Sequence, residues 1–203
     1  MVKTVYLLRH GHIDHGSEKK YLGRTDVPLD SIGLEQACAL QAYFKTIALD
    51  AILISPLQRC VQTAQILCED RPMMYQSVEG FCEIDMGDWD NVPMAYIKSH
   101  YPKLYAQRGV NLEYFKPPNG ESFHEVAKRA RDAFDLLIHH ASGSILIVAH
   151  AGVNRMILTD LLDIPIHDMF SIEQPYACIN VLTWDDQTMR WDYKKETLHV
   201  KSL

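Results

Sequence analysis

Val5-Tyr6-Leu7-Leu8-Arg9-His10-Gly11-His12 is a short apolar run that ends in a cation, an imidazole and a glycine. A run of this kind bounded by glycine reads as a buried strand. In open α/β sheets, ligands bind in the loops that leave the carboxyl ends of the strands. The strand therefore carries Arg9 and His10 to the mouth of a sheet, and Gly11 lets the backbone turn and approach a ligand closely. Taken alone, the tripeptide fits an ordinary strand end with a hydrogen-bonded histidine equally well.

Ser144-Ile145-Leu146-Ile147-Val148-Ala149-His150-Ala151-Gly152 repeats the same grammar: apolar strand, histidine, glycine, then a helix-like segment. Two such endings are far less expected by chance than one. If the two strands are neighbours in a parallel sheet, both imidazoles meet at one edge.

The segments between them alternate in type. A polar loop runs from His12 to Asp30, and a helix from Ser31 to about Phe44 carries Ala37, Leu40 and Phe44 at helical spacing. Ala51–Ile54 reads as a second buried strand, ending at Ser55-Pro56, with Pro56 just inside the start of a helix. Leu57, Val61, Ala64 and Cys68 mark one face of that helix, and Arg59 lies in its first turn. Met73 to Val78 reads as a third strand, followed by the acidic loop Phe81 to Asp90. The tyrosine-rich stretch 92–118, closed by Pro117-Pro118-Asn119-Gly120, reads as a helical excursion outside the sheet, its aromatic rings packed on the body. Ser122-Phe123-His124-Glu125 fits a capping box opening a helix to about His140. After the strand at 144–149 come a helix from Val153 to Leu162 and two antiparallel strands, Cys178 to Trp184 and Met189 to Thr197. Alternating strands and helices predict a three-layer α/β/α sandwich around a mainly parallel sheet, in a single domain over 1–203.

Bulk composition narrows the function classes. The chain has 203 residues, 47% hydrophobic and 23% charged, with a net charge of -6 and no block of like charges. That balance gives no sign of a nucleic-acid surface or a membrane-binding face. Any anion must be held in a local basic pocket. No run of about 18 apolar residues is present. The first strand begins so near Met1 that no signal peptide is expected, and the five cysteines include no CxxC pair; both point to a reducing, cytoplasmic setting.

The residues at strand ends and helix starts are Arg9, His10, Arg59, Glu83 and His150. Two guanidiniums suit a doubly charged anion. Helix N-termini after Ser55 and Gly152 offer further N–H groups to it. No Walker-type loop is present, and the ten histidines show no metal-ligand spacing such as HExxH.

Read together, Arg9-His10-Gly11, Gly23-Arg24-Thr25-Asp26, Ser55-Pro56-Leu57-Gln58-Arg59, Glu83-Ile84-Asp85-Met86-Gly87-Asp88-Trp89, Asn119-Gly120-Glu121-Ser122 and His150-Ala151-Gly152 resemble the histidine phosphatase, or phosphoglycerate mutase-like, superfamily. The resemblance follows the family's order along nearly the whole chain. It implies a phosphoglycerate mutase-like fold with the 92–118 excursion over the active site. It implies that His10 is a nucleophile forming a phosphohistidine, and that Arg9, Arg59 and His150 hold the phosphoryl oxygens. Glu83 would protonate the leaving oxygen and then activate water, although Asp85, Asp88 and Asp90 are close rivals. No metal and no cofactor is implied, and the partner is a small phosphorylated substrate. Many members carry Glu where His12 stands, and Glu-Gly where Asp90-Asn91 stands. His12, His15 and His124 read as cleft-rim or surface residues. Hydrolysis of a phosphomonoester is the leading expectation, since the chain lacks the continuation after Gly11 usual in the mutases. A phosphoglycerate mutase and a non-catalytic phospholigand-binding protein are the alternatives. Substrate identity and oligomeric state are left open.

Overall fold

The computed structural model describes residues 2–14, 16–71, 74–140 and 143–197. His15 and Met73 lie outside the described residues. Six strands form the central sheet: β1 (Val2–Arg9), β3 (Ala51–Ile54), β4 (Tyr75–Ser77), β6 (Gly143–Ala149), β7 (Ile179–Asp185) and β8 (Arg190–Glu196). Their order is β4-β3-β6-β1-β7-β8. The pairs β4–β3, β3–β6 and β6–β1 are parallel, while β7 runs antiparallel to both β1 and β8. The two histidine-tipped strands are thus neighbours, with Arg9 in register with Ala149.

Successive side chains alternate across the sheet, and each face meets its own pair of helices. Leu8, Ile52, Ile54, Leu146 and Val148 pack with residues of α1 (Ser31–Phe44) and α2 (Gln58–Cys68). Val5, Leu7, Leu53, Ile145 and Ile147 pack with residues of α5 (Phe123–His140) and α6 (Ala151–Leu161). This is the mainly parallel α/β architecture read from the sequence.

Local chemistry fixes the helix starts. Asp30 caps α1 by accepting from Gly33 N at 2.8 Å. At α5 the capping box is reciprocal: Ser122 N donates to Glu125 Oε2 at 2.9 Å and Glu125 N to Ser122 Oγ at 3.2 Å. Caps of this kind contribute about 1 kcal/mol each.

Several details differ from the sequence reading. Pro56 precedes α2 rather than starting it, with Leu57 in the capping position. The buried face of α2 is Arg59, Cys60, Thr63, Ala64 and Leu67, shifted from the predicted stripe because a charged residue, Arg59, points inward. The polar loop after β1 contains a two-residue strand, β2 (Lys20–Tyr21), paired with β5 (Val92–Pro93). The stretch beyond β5 forms α3 (Met94–His100) and α4 (Pro102–Val110). Tyr105 and Phe115 pack on the core as expected, whereas Tyr96, Tyr101 and Tyr114 are exposed. Asn91 adopts φ 59°, a conformation that glycine takes freely and asparagine tolerates. Among the described residues, no helix is long and apolar enough to cross a membrane.

Candidate active site

The carboxyl ends of β3, β6 and β1 lie side by side, with Ser55 directly after β3, His150 directly after β6, and Arg9 and His10 at the end of β1. A cavity of about 260 Å³ is lined by Arg9, His10, Arg59 and Glu83, together with Ile13, Lys19, Lys20, Leu22, Met94, Ala151 and Tyr176. His150 stands behind it, its ring centroid 5.1 Å from that of His10. All five residues singled out in the sequence therefore come together, from positions up to 141 apart. Of the acidic rivals, only Glu83 reaches the cavity. Asp90 accepts from Gly23 N and Thr25 N, Asp85 from Gly87 N, and Asp88 from Asn119.

The tautomer of His10 follows from its partner. Nδ1 lies 2.7 Å from Gly11 O, which can only accept. Nδ1 therefore carries the proton and Nε2 keeps its lone pair. Burial, reinforced by the guanidiniums of Arg59 and Arg9, holds the His10 pKa well below the usual histidine range, so the ring is neutral near pH 7. The turn after it is tight. Gly11 N donates to Thr63 Oγ1 at 3.2 Å, and a Cβ on Gly11 would lie 2.6 Å from Gly33 O.

Arg59 is 1% exposed and held on three sides. Nε donates to His150 Nδ1 at 3.2 Å, Nη1 to Thr25 O at 3.0 Å and Nη2 to Gly23 O at 2.8 Å. Three of its five donors are thus occupied. Since His150 Nδ1 accepts, Nε2 bears the proton and donates to Ser55 Oγ at 2.7 Å. His150 too is kept neutral, by burial first and then by Arg59. Arg9 stacks over the Tyr176 ring, 3.7 Å from its centroid, and donates through Nη1 to Gln174 O. Its Nε is buried and lacks a partner among the described residues.

Glu83 is 7% exposed. Oε2 accepts from Gly152 N at 3.0 Å and Oε1 from Ile84 N at 2.9 Å. Its loop is clamped from below by Arg129, which donates to Gly80 O, Cys82 O and Glu83 O at 2.8, 2.8 and 3.1 Å and to Glu121 at 2.9 and 3.0 Å. The two helix N-termini expected to serve an anion are otherwise engaged. Gln58 N donates to Asp26 Oδ1 at 2.7 Å, and Gly152 N serves Glu83. In each case a carboxylate takes the positive end of the helix.

His12 lies 2.5 Å from Asp30 Oδ2 and edge-on to Tyr176, which lines the cavity. His124 is exposed, 3.4 Å from Glu113. The sequence reading missed Ser55, Lys19, Lys20, Met94 and Tyr176. Ser55 could have been found by the rule that found the histidines, since it directly follows β3 at the same sheet edge. Lys19 and Tyr176 sit on irregular segments, Lys20 in a two-residue strand and Met94 at the first residue of α3, where no periodicity marks them. Among the described residues there is no group of three or more His, Cys, Asp or Glu able to hold a metal ion.

Residues 5–197 match the family described as histidine phosphatase superfamily (branch 1). The chain is 26% identical to the adenosylcobalamin/alpha-ribazole phosphatase of Escherichia coli over 176 residues, 86% of each chain. It is 30% identical to a Bacillus subtilis protein named uncharacterized phosphatase PhoE, over 78% of this chain and 77% of that one. Some curated relatives are longer, and the chain spans 43% or 34% of them. Among solved structures, Bacillus stearothermophilus YhfR superimposes with a TM-score of 0.84 at 26% identity, covering 95% of both chains. With its two strand-end histidines, paired guanidiniums and this match over nearly its whole length, the chain belongs to the histidine phosphatase superfamily, branch 1.

Proposed function

We propose that this protein is a phosphatase that hydrolyses phosphomonoesters of small metabolites through a phosphohistidine at His10, without a metal. The observation that carries the reading is the His10 tautomer. Its Nδ1–H is committed to Gly11 O, which leaves the Nε2 lone pair beside Arg9, Arg59 and Glu83 in one cavity. The superfamily's named phosphatases support the same activity.

In the first step the Nε2 lone pair attacks phosphorus, the ester P–O bond breaks, and Glu83 gives a proton to the leaving oxygen. In the second, water attacks the phosphohistidine, Glu83 takes its proton, and the N–P bond breaks to release inorganic phosphate and neutral His10. Splitting one displacement into two in this way is nucleophilic catalysis. Charge spreads over the phosphoryl oxygens in such a transition state, so fixed cations carry most of the effect. Arg9 would offer its unpartnered Nε and Arg59 its two unoccupied donors. His150 would exchange its Ser55 bond for a phosphoryl oxygen. Glu83, positioned by the two backbone N–H bonds it accepts, serves as the acid of the first step and the base of the second. Met94, at the start of α3, lines the same cavity, which supports residues 92–118 as an excursion over the site of a single domain. Phosphate release from p-nitrophenyl phosphate by wild type, and its loss in His10→Ala, tests the reading; equal rates would overturn it.

A further inference from the structure

The cavity holds more positive charge than a phosphomonoester uses. Arg9 and Arg59 match a dianionic phosphoryl group, and among the described residues Glu83 is the one carboxylate lining the cavity. Lys19 and Lys20 line it as well, in a chain whose net charge is -6. Neither lysine forms an ion pair with a described residue. Among the described residues, the Lys20 ammonium donates to a neutral group, Asn91 Oδ1, at 3.2 Å.

The backbone that carries these lysines is held in place. Lys20 pairs with Pro93 in the β2–β5 ribbon. Met94 N donates to Lys19 O at 2.9 Å, and Asn91 N to Tyr21 O at 2.7 Å. The ribbon ties the segment carrying both lysines to the base of α3. Ile13, Leu22 and Met94 give the cavity apolar wall. Its volume lies below the roughly 300–1,000 Å³ common for drug-sized ligands, so a single small molecule can meet both the guanidiniums and the ammoniums.

We propose that Lys19 and Lys20 form a second anion subsite, which makes the preferred substrates phosphomonoesters that carry a further phosphate or carboxylate group. This deepens the phosphatase reading and rests on it. The reaction at phosphorus is unchanged; the lysines bind the far end of the substrate and lower KM.

The test uses ester pairs matched in skeleton: glycerol 3-phosphate against 3-phosphoglycerate, and fructose 6-phosphate against fructose 1,6-bisphosphate, followed by phosphate release. Wild type is expected to favour the second member of at least one pair by about tenfold or more in kcat/KM, a preference weakened by added salt. The pair preferred tells carboxylate from phosphate. In the Lys19→Gln/Lys20→Gln protein that preference shrinks toward unity, mainly through KM. Equal kcat/KM within both pairs, or a variant that loses activity equally on both members, would overturn the proposal. Calorimetric binding of the same pairs to His10→Ala gives a readout independent of turnover: tighter binding of the second member supports the subsite, and equal binding overturns it. Absence of phosphate release from every ester, p-nitrophenyl phosphate included, would instead overturn the phosphatase reading.

Discussion

The Glu83 carboxylate sits on the backbone of Gly152, 69 residues away, accepting its amide hydrogen at 3.0 Å. A Cβ at Gly152 would lie 2.3 Å from Glu83 Oε1. Glycine is required there by the approach of the acid, since no positive φ is involved. Gly152→Ala is therefore expected to push Glu83 out of place and lower kcat by about 100-fold, the low end of what loss of a general acid costs. The loss should be greater for alkyl phosphates than for p-nitrophenyl phosphate, whose leaving group needs little protonation. Equal losses on both would disconnect Gly152 from proton transfer.

Arg129 presents a planar fork to three carbonyls and one carboxylate, which lysine's single ammonium cannot reproduce. Arg129→Lys is expected to cost about 1–3 kcal/mol of stability through unpaired acceptors, read from urea unfolding midpoints. Because those acceptors include Glu83 O, kcat should fall with KM little changed. Full activity in a destabilised protein would make Arg129 a purely structural clamp.

The two buried imidazoles give a pH dependence with a definite sign. His10 and His150 are held neutral in the folded protein, their pKa values well below the usual range through burial and the guanidiniums. The unfolded chain protonates both near pH 6.5. Below that point the unfolded state binds more protons than the folded one, so stability rises with pH there. Stability is accordingly full above about pH 6.5 and is lost as pH falls toward the depressed folded values, by up to about 1.4 kcal/mol per pH unit for each histidine. Urea midpoints at pH 7.0 and 5.5 check this, and His150→Gln should flatten the slope. An unchanged slope would mean that His150 is already protonated in the fold.

Arg59 shows where sequence reading stops. The sheet was legible because β1, β3 and β6 are apolar runs, and the strand-end rule located both histidines. The α2 stripe was misread because hydropathy places an arginine outside, whereas here Gly23 O, Thr25 O and His150 Nδ1 compensate its burial. The β2–β5 ribbon is two residues wide and carries no periodicity. Glu83 could not be separated from Asp85, Asp88 and Asp90 by position along the chain, because its distinguishing partner is an amide on α6. Lys19 and Tyr176 reach the cavity from loops, and Lys20 from the β2–β5 ribbon, whose paths only tertiary contacts define.

The central claim is that His10 Nε2 takes the phosphoryl group. Rapid acid- and base-quenched mixing of the protein with a labelled phosphomonoester tests it most directly. The expected result is one phosphoryl group per chain, stable in alkali, labile in acid, mapped to His10 and missing from His10→Ala. Turnover with no phosphoprotein at any quench time, or label on another residue, would contradict it.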